Sequence, residues 1–220
     1  MKNIIITGSS GMIGALVLQK CLNSNDVNKV TSIVRKASGI KHVKLNEIVH
    51  TNFLDYNPIS EVFKDQDIAF YCMGVYTGAV SRDEFRKITV DYTLAFAKML
   101  RSKSDKTIFC FLSGQGADQT EKSKMMFAVD KGIAENGLKK MQFSQFYTFR
   151  PGYIYPSTPR VETNFTYKIM KVLYKPVSFI YPNIGISSDN LASVIVKVGY
   201  NGYPKSVLEN KDIRSIIGLV

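Results

Sequence analysis

The chain has 220 residues, 45% of them hydrophobic, enough to bury one core without metals or disulfides, so a single domain is expected. The net charge of +11 suits an anionic partner. The Lys and Arg residues are scattered, however, with no basic block and no aromatic-basic RNA motif, so nucleic acid is not favoured. Three separated cysteines, Cys21, Cys72 and Cys110, argue against a disulfide framework or a zinc site and read as small buried hydrophobes.

The start, Met1 to Thr7, has only a short apolar run, Ile4 to Ile6. It does not read as a secretory signal. No apolar stretch approaches the roughly 20 residues of a membrane span. A cytoplasmic protein is the expectation.

Ile4 to Ile6 is all apolar, as in a parallel strand buried on both faces. Met12 to Leu22 carries Ile13, Leu16, Val17 and Leu22 at helical spacing. Val30 to Val34, Glu47 to Thr51 and Ile68 to Met73 read as the next three strands. A long helix is predicted over Arg82 to Leu100, with Phe85, Ile88, Tyr92, Ala95, Phe96 and Met99 on one stripe. Thr107 to Leu112 is a fifth strand, Met125 to Lys139 a helix and Phe146 to Phe149 a sixth strand.

Strands and helices in alternation imply βαβ units with right-handed crossovers. The fold class expected is α/β: a doubly wound, three-layer αβα sheet of Rossmann type, strand order 3-2-1-4-5-6-7. Beyond Gly152, prolines 156, 159, 176 and 182 interrupt the alternation. Residues 153–185 read as a small C-terminal cap on the one domain, 1–220. Within it, Thr163 to Lys175 sets Lys168, Lys171 and Lys175 opposite Phe165, Ile169, Val172 and Leu173. That is either a solvated Lys face over a core stripe or a lipid-facing or substrate lid.

The first strand runs into Thr7-Gly8-Ser9-Ser10-Gly11-Met12-Ile13-Gly14. Gly8 allows a sharp turn, Gly11 leaves room for a pyrophosphate and Gly14 lets the helix approach the sheet. Ser10, Gly11, Met12 and Ile13 open the helix, whose free N–H groups and positive dipole end suit phosphates. This strand–turn–helix context points to a dinucleotide; a Gly-rich turn in a flavodoxin-like domain is the alternative. At the end of the second strand, an NAD-type site would carry an acidic residue. That slot holds Val34-Arg35-Lys36, and no acidic residue occurs from Val27 to Asn46. A carboxylate there would repel a 2′-phosphate, whereas Arg35 can grip one, so NADP is favoured over NAD. Arg35 as a plain strand-end charge is the other reading.

These residues resemble the atypical and extended short-chain dehydrogenase/reductase superfamily. The resemblance is to its Tat-interacting-protein-like oxidoreductases and to bacterial relatives called nucleoside-diphosphate-sugar epimerases. It is carried by Phe70-Tyr71-Cys72-Met73-Gly74, Val90-Asp91-Tyr92, Leu112-Ser113-Gly114-Gln115-Gly116-Ala117-Asp118 and Phe149-Arg150-Pro151-Gly152. The resemblance implies Asn52 and Phe53 beside the adenine, Met73 and Gly74 along the cofactor, and Pro151, Gly152 and Ile154 near the nicotinamide. It also implies Ser113 as catalytic serine and Lys131 as the lysine that holds the nicotinamide ribose.

One departure stands out. The family's Tyr-x-x-x-Lys is Phe127-Ala128-Val129-Asp130-Lys131 here. Phe127 keeps the ring but has no proton to give, and no tyrosine occurs between Tyr92 and Tyr147. Another group could donate the proton, with Tyr76, Tyr153 and Tyr155 as candidates. The chain could instead bind NADPH without turnover, as a regulatory or interaction protein. Or Lys131 could be an ordinary helix-surface lysine. Ser113 could simply cap a turn. His42 and His50 read as structural, and no metal pattern is present. The substrate, a small molecule, is not legible, and a homodimer or protein partner stays open.

Overall fold

The computed structural model describes residues 1–157 and 184–219. The chain begins with β1 (Lys2–Thr7), α1 (Met12–Leu22), β2 (Val27–Val34), β3 (Leu45–Val49) and β4 (Ile68–Tyr71). A helical run follows in three pieces: α2 (Arg82–Arg86), a wider π turn (Lys87–Asp91) and α3 (Tyr92–Lys103). Then come β5 (Ile108–Leu112), α4 (Met126–Lys140), β6 (Gln145–Arg150) and β7 (Tyr153–Tyr155). The rest of the described chain holds β8 (Gly185–Ser187), α5 (Ser188–Asn201), β9 (Val207–Glu209) and α6 (Asn210–Ser215).

Seven parallel strands form one sheet in the order β3-β2-β1-β4-β5-β6-β9. The expected doubly wound, three-layer sheet is therefore present. Its seventh place departs from simple chain order. The next strand in the chain, β7, pairs with β8 in a separate two-stranded sheet. The edge beside β6 goes instead to β9, in the register Thr148 with Val207 and Arg150 with Glu209. β3 also begins two residues earlier than expected, because Val30 pairs with Leu45 and Val34 with Val49. Of the proposed cap, the helix at Thr163 to Lys175 lies outside the described residues.

The three isoleucines of β1 show why the strand sits at the centre. Ile4 and Ile6 face one layer with Val17, Leu18, Leu191 and Ile195 of α1 and α5. Ile5 faces the other with Phe96, Leu100, Ala134 and Leu138 of α3 and α4. All three are fully buried, as period-two alternation demands of a strand covered on both sides.

The turn after β1 is fixed by contact with its neighbours. Gly8 has φ +80°, and a Cβ on it would lie 2.5 Å from the backbone of Cys72 and Met73. A Cβ on Gly14 would lie 2.1 Å from the carbonyl oxygen of Gly8. No such approach is tolerable, so α1 can start where it does only without that side chain. Gly14→Ala is expected to lower stability by about 2 to 3 kcal/mol, roughly 5 to 10 °C in Tm. Gly74→Ala, whose Cβ would meet nothing within 4 Å, is expected to leave Tm unchanged in the same thermal melt.

Candidate functional site

Two adjoining cavities line the carboxyl ends of the strands, where open parallel sheets take their ligands. The first, of about 570 Å³, runs from the glycine turn at Gly8, Ser10 and Gly11 to Arg35 after β2 and Phe53. The second, of about 350 Å³, runs from Gly11, Met12 and Ile13 to Ser113, Phe127, Lys131, Tyr76 and Ile154. Both include Gly11, Cys72, Met73, Gly74 and Val75. Together they make one crevice with a basic end and a Ser–Phe–Lys end.

The start of α1 faces this crevice. No side chain caps it and no acidic residue stands in its first turn. Its first N–H groups are therefore left for an anion, which is the condition a pyrophosphate needs. Gly11 N donates to Gly8 O at 2.9 Å, which closes the turn that presents them.

At the basic end, Arg35 lines the cavity. Lys36 and Asn52 are exposed and stand off its lining. Asn52 is used locally, its Oδ1 accepting from Leu54 N at 3.3 Å. Phe53 is buried, and its ring lies 5.6 Å from that of Tyr92, which also walls the cavity. Sequence reasoning missed Thr51, Cys72, Val80, Glu84, Ile88 and Tyr92 as lining residues. Ile88 and Tyr92 belong to the stripe read as core, and that stripe reaches the strand ends. Burial pushes the Cys72 thiol up to about 12, so it offers no thiolate near neutral pH.

At the other end, β5 delivers Ser113 and α4 delivers Phe127 and Lys131 one turn apart. The spacing expected of the altered Tyr-x-x-x-Lys pattern therefore brings both side chains to one cavity. The Phe127 ring packs on Gly114: a Cβ there would lie 2.8 Å from Phe127 Cζ. Lys131 is 8% exposed. Its Nζ donates to Leu112 O at 3.3 Å and stands 5.0 Å from the Phe111 ring centroid. Burial pulls the ammonium down to about 8, against the attraction of the Glu135 carboxylate.

Behind Ser113 lies a polar network absent from the sequence reading. Ser113 Oγ donates to Glu135 Oε1 at 2.6 Å. Arg150 forks onto both oxygens of Glu135, with Nε at 3.0 Å from Oε1 and Nη2 on Oε2, and its Nη1 reaches Glu209 at 2.9 Å. Gln119 Nε2 adds a bond to Glu135 Oε2 at 2.8 Å. Glu135 is fully buried. A second buried acid, Asp130, is gripped by Arg82 and Arg86 and ties α2 to α4. Both acids sit on α4, and their only sequence signal is an acidic residue on a helix face that also carries core residues.

Pro151 and Gly152 do not border the crevice. They hold its frame: Gln115 N donates to Pro151 O at 3.0 Å, and Gly152 N donates to Asn210 Oδ1 at 3.0 Å. Tyr76 borders the second cavity and is 42% exposed. Tyr153 and Tyr155 lie on β7, off the lining of the cavities. Among the described residues, no group of acidic, His and Cys side chains could hold a metal ion. None of their helices is long and apolar enough to cross a membrane.

The family model for the NAD dependent epimerase/dehydratase family matches residues 4–130, which covers the glycine turn and four further strands. The chain belongs to this family. Protein HTATIP2 of Rattus norvegicus is 29% identical over 154 residues, 69% of this chain and 62% of the rat protein. The match thus spans less than two thirds of that relative. The protein named fmp52, mitochondrial, of Emericella nidulans is 29% identical over 160 residues, 70% of this chain and 67% of its own. Among solved structures, the Bordetella bronchiseptica enzyme WbmH in complex with NAD+ superposes with a TM-score of 0.69 at 15% identity, covering 95% of this chain and 75% of that one. A UDP-N-acetylglucosamine 4-epimerase from Methanobrevibacter ruminantium gives 0.68 at 17% identity, covering 94% and 76%. These two likenesses show the fold, and the family is one of NAD(P)-dependent Rossmann oxidoreductases.

The buried Lys131 leaves a pH signature. Folded, the ammonium loses its proton at about 8; unfolded, a lysine holds it to about 10.4. Below pH 8 the buried charge costs stability in full, and the cost fades as pH rises from about 8 toward 10.4, where both states are neutral. Lys131→Met is expected to be more stable than the parent at pH 7 by up to about 3 kcal/mol. That gap should shrink steadily between pH 8 and 10 in denaturant titrations. A gap independent of pH contradicts the buried ammonium.

Proposed function

We propose that the chain binds NADP in this crevice and passes a hydride to or from the alcohol or carbonyl carbon of a small molecule. The single observation behind the reading is the continuity of the crevice. It joins an uncapped helix start and Arg35 to the pocket that holds Ser113, Phe127 and Lys131. Ser10, Gly11, Met12 and Ile13 hold the pyrophosphate. Arg35 binds the 2′-phosphate with Lys36 nearby, and Phe53 with Asn52 borders the adenine. Met73, Gly74 and Ile154 flank the nicotinamide, Pro151 and Gly152 support it, and Lys131 binds its ribose. When bound, the nicotinamide supplies or accepts the hydride. Ser113 meets the substrate oxygen, and Tyr76 is the tyrosine best placed to supply a proton in place of Phe127. The free thiols of Cys21, Cys72 and Cys110 favour a reducing compartment. The cytoplasm is the proposal, with the mitochondrial names of the fungal relatives pointing to the rival compartment.

A second reading has its own support. Phe127 packs on Gly114 as an apolar wall, with no proton to give. A protein that keeps the cofactor and has shed the chemistry, acting as an NADPH-responsive regulator, would show that pattern.

Titration by nicotinamide fluorescence tests the cofactor. NADPH is expected to bind at least about ten-fold tighter than NADH, and Arg35→Glu is expected to erase or reverse the ratio. No binding of either at millimolar concentration rejects the proposal. For the chemistry, Phe127→Tyr restores a general acid and is expected to raise NADPH-linked carbonyl reduction by about 10² to 10⁴-fold. A variant as inert as the parent, with NADPH still bound, favours the regulatory reading.

A further inference from the structure

The Ser113 hydroxyl spends its one proton on Glu135. A serine hydroxyl has one hydrogen to donate and two lone pairs to accept with. Glu135, a carboxylate paired with the Arg150 guanidinium, has only lone pairs to give. The 2.6 Å contact between Ser113 Oγ and Glu135 Oε1 is therefore donated by the serine. A hydroxyl bonded this way to a buried carboxylate makes a charge-assisted bond, roughly twice as strong as a neutral one. Turning the proton away would break that charge-assisted bond and leave Oε1 with Arg150 Nε alone.

The network leaves little freedom for another arrangement. Both oxygens of Glu135 already accept from Arg150, and Oε2 accepts from Gln119 as well. Arg150 is itself held by Glu209 on the neighbouring strand. The carboxylate is thus clamped from three elements, and it in turn holds the hydroxyl.

The rest of that pocket is mostly apolar, with Met73, Val75, Leu112, Phe127 and Ile154 in its wall. Lys131 and Tyr76 supply donors there: Lys131 Nζ makes one bond, to Leu112 O, and an ammonium has three hydrogens. A ligand oxygen that meets Ser113 must donate to it, while accepting from Lys131 or Tyr76. A hydroxyl does both; a carbonyl oxygen only accepts.

We propose that the Glu135–Arg150 pair makes Ser113 a fixed hydrogen-bond acceptor, so that this pocket selects an apolar alcohol over the matching ketone. The inference rests on the cofactor reading above and names the substrate class for that site. Glu135 is a positioning residue: it acts through Ser113 and does not line the crevice.

The test compares 1-phenylethanol with acetophenone, two probes of one shape that differ in the hydroxyl hydrogen. Each is titrated by ligand-observed NMR into the full chain holding tetrahydro-NADP, a redox-inert analogue, so that no turnover occurs. The alcohol is expected to bind about five-fold or more tighter, the worth of one hydrogen bond. Glu135→Gln presents an amide that can donate to Ser113 and release its proton, so the preference should vanish or invert. Ser113→Ala, a small change that spares the clamp, should bring the two affinities together even if Glu135→Gln fails to fold. Acetophenone binding as well as or better than 1-phenylethanol in the parent overturns the inference. So does binding of neither probe at 10 mM. Retention of the alcohol preference in Ser113→Ala overturns it too. Tetrahydro-NADP binding in the same samples separates the two levels: its absence defeats the cofactor reading, whereas its presence without alcohol preference defeats this inference alone.

Discussion

The site depends on one close approach. The carbonyl oxygen of Gly8 stands 2.1 Å from where a Cβ of Gly14 would be. Only hydrogen fits, so the first helix can begin directly beneath the end of β1. Gly8 in turn sits against the backbone of Cys72 and Met73 at the end of β4. These contacts lock turn, helix and two central strands at one point. That point is also where both cavities meet. A side chain at either glycine would push the helix start away, and with it the N–H groups that make the crevice suit an anion.

A second constraint lies deeper, under β5 and β6. Burying a carboxylate costs several kcal/mol unless charges and hydrogen bonds compensate it. Glu135 has both, through Arg150, Gln119 and Ser113. The clamp joins α4, the loop after β5 and the end of β6, and through Glu209 it reaches the edge strand β9. The residue that borders the pocket and the residue that closes the sheet are thus held by one network. A buried ion pair of this sort gives little net stability but breaks badly when one partner is lost, which suits it to fixing geometry.

Most of the architecture was legible because parallel strands buried on both faces advertise themselves as apolar runs. Ile4 to Ile6 and Ile68 to Tyr71 needed no tertiary knowledge. The glycine turn was legible for the same reason: its three glycines follow a strand and open a helix. β9 escaped because Val207–Glu209 is too short to carry a pattern. Its pairing is set by β6, not by its own sequence. Glu135 escaped for a different reason. Its partners stand 15 and 22 residues away, at Arg150 and Ser113, so nothing local marks it. Phe127 was legible as an anomaly, and the structure puts it in the same cavity as Ser113 and Lys131. Lys36 was read from its place beside Arg35, and Asn52, Pro151 and Gly152 from the family resemblance; all four stand off the crevice lining, because adjacency in sequence to Arg35, Phe53 and Ile154 does not make a lining residue.

The most direct test is a crystal structure of the chain grown with NADP. The account predicts pyrophosphate oxygens on the N–H groups of residues 10–13, the 2′-phosphate against Arg35, and the nicotinamide beside Ser113 and Lys131. A dinucleotide bound elsewhere, or lying reversed with its nicotinamide at Arg35, would contradict it.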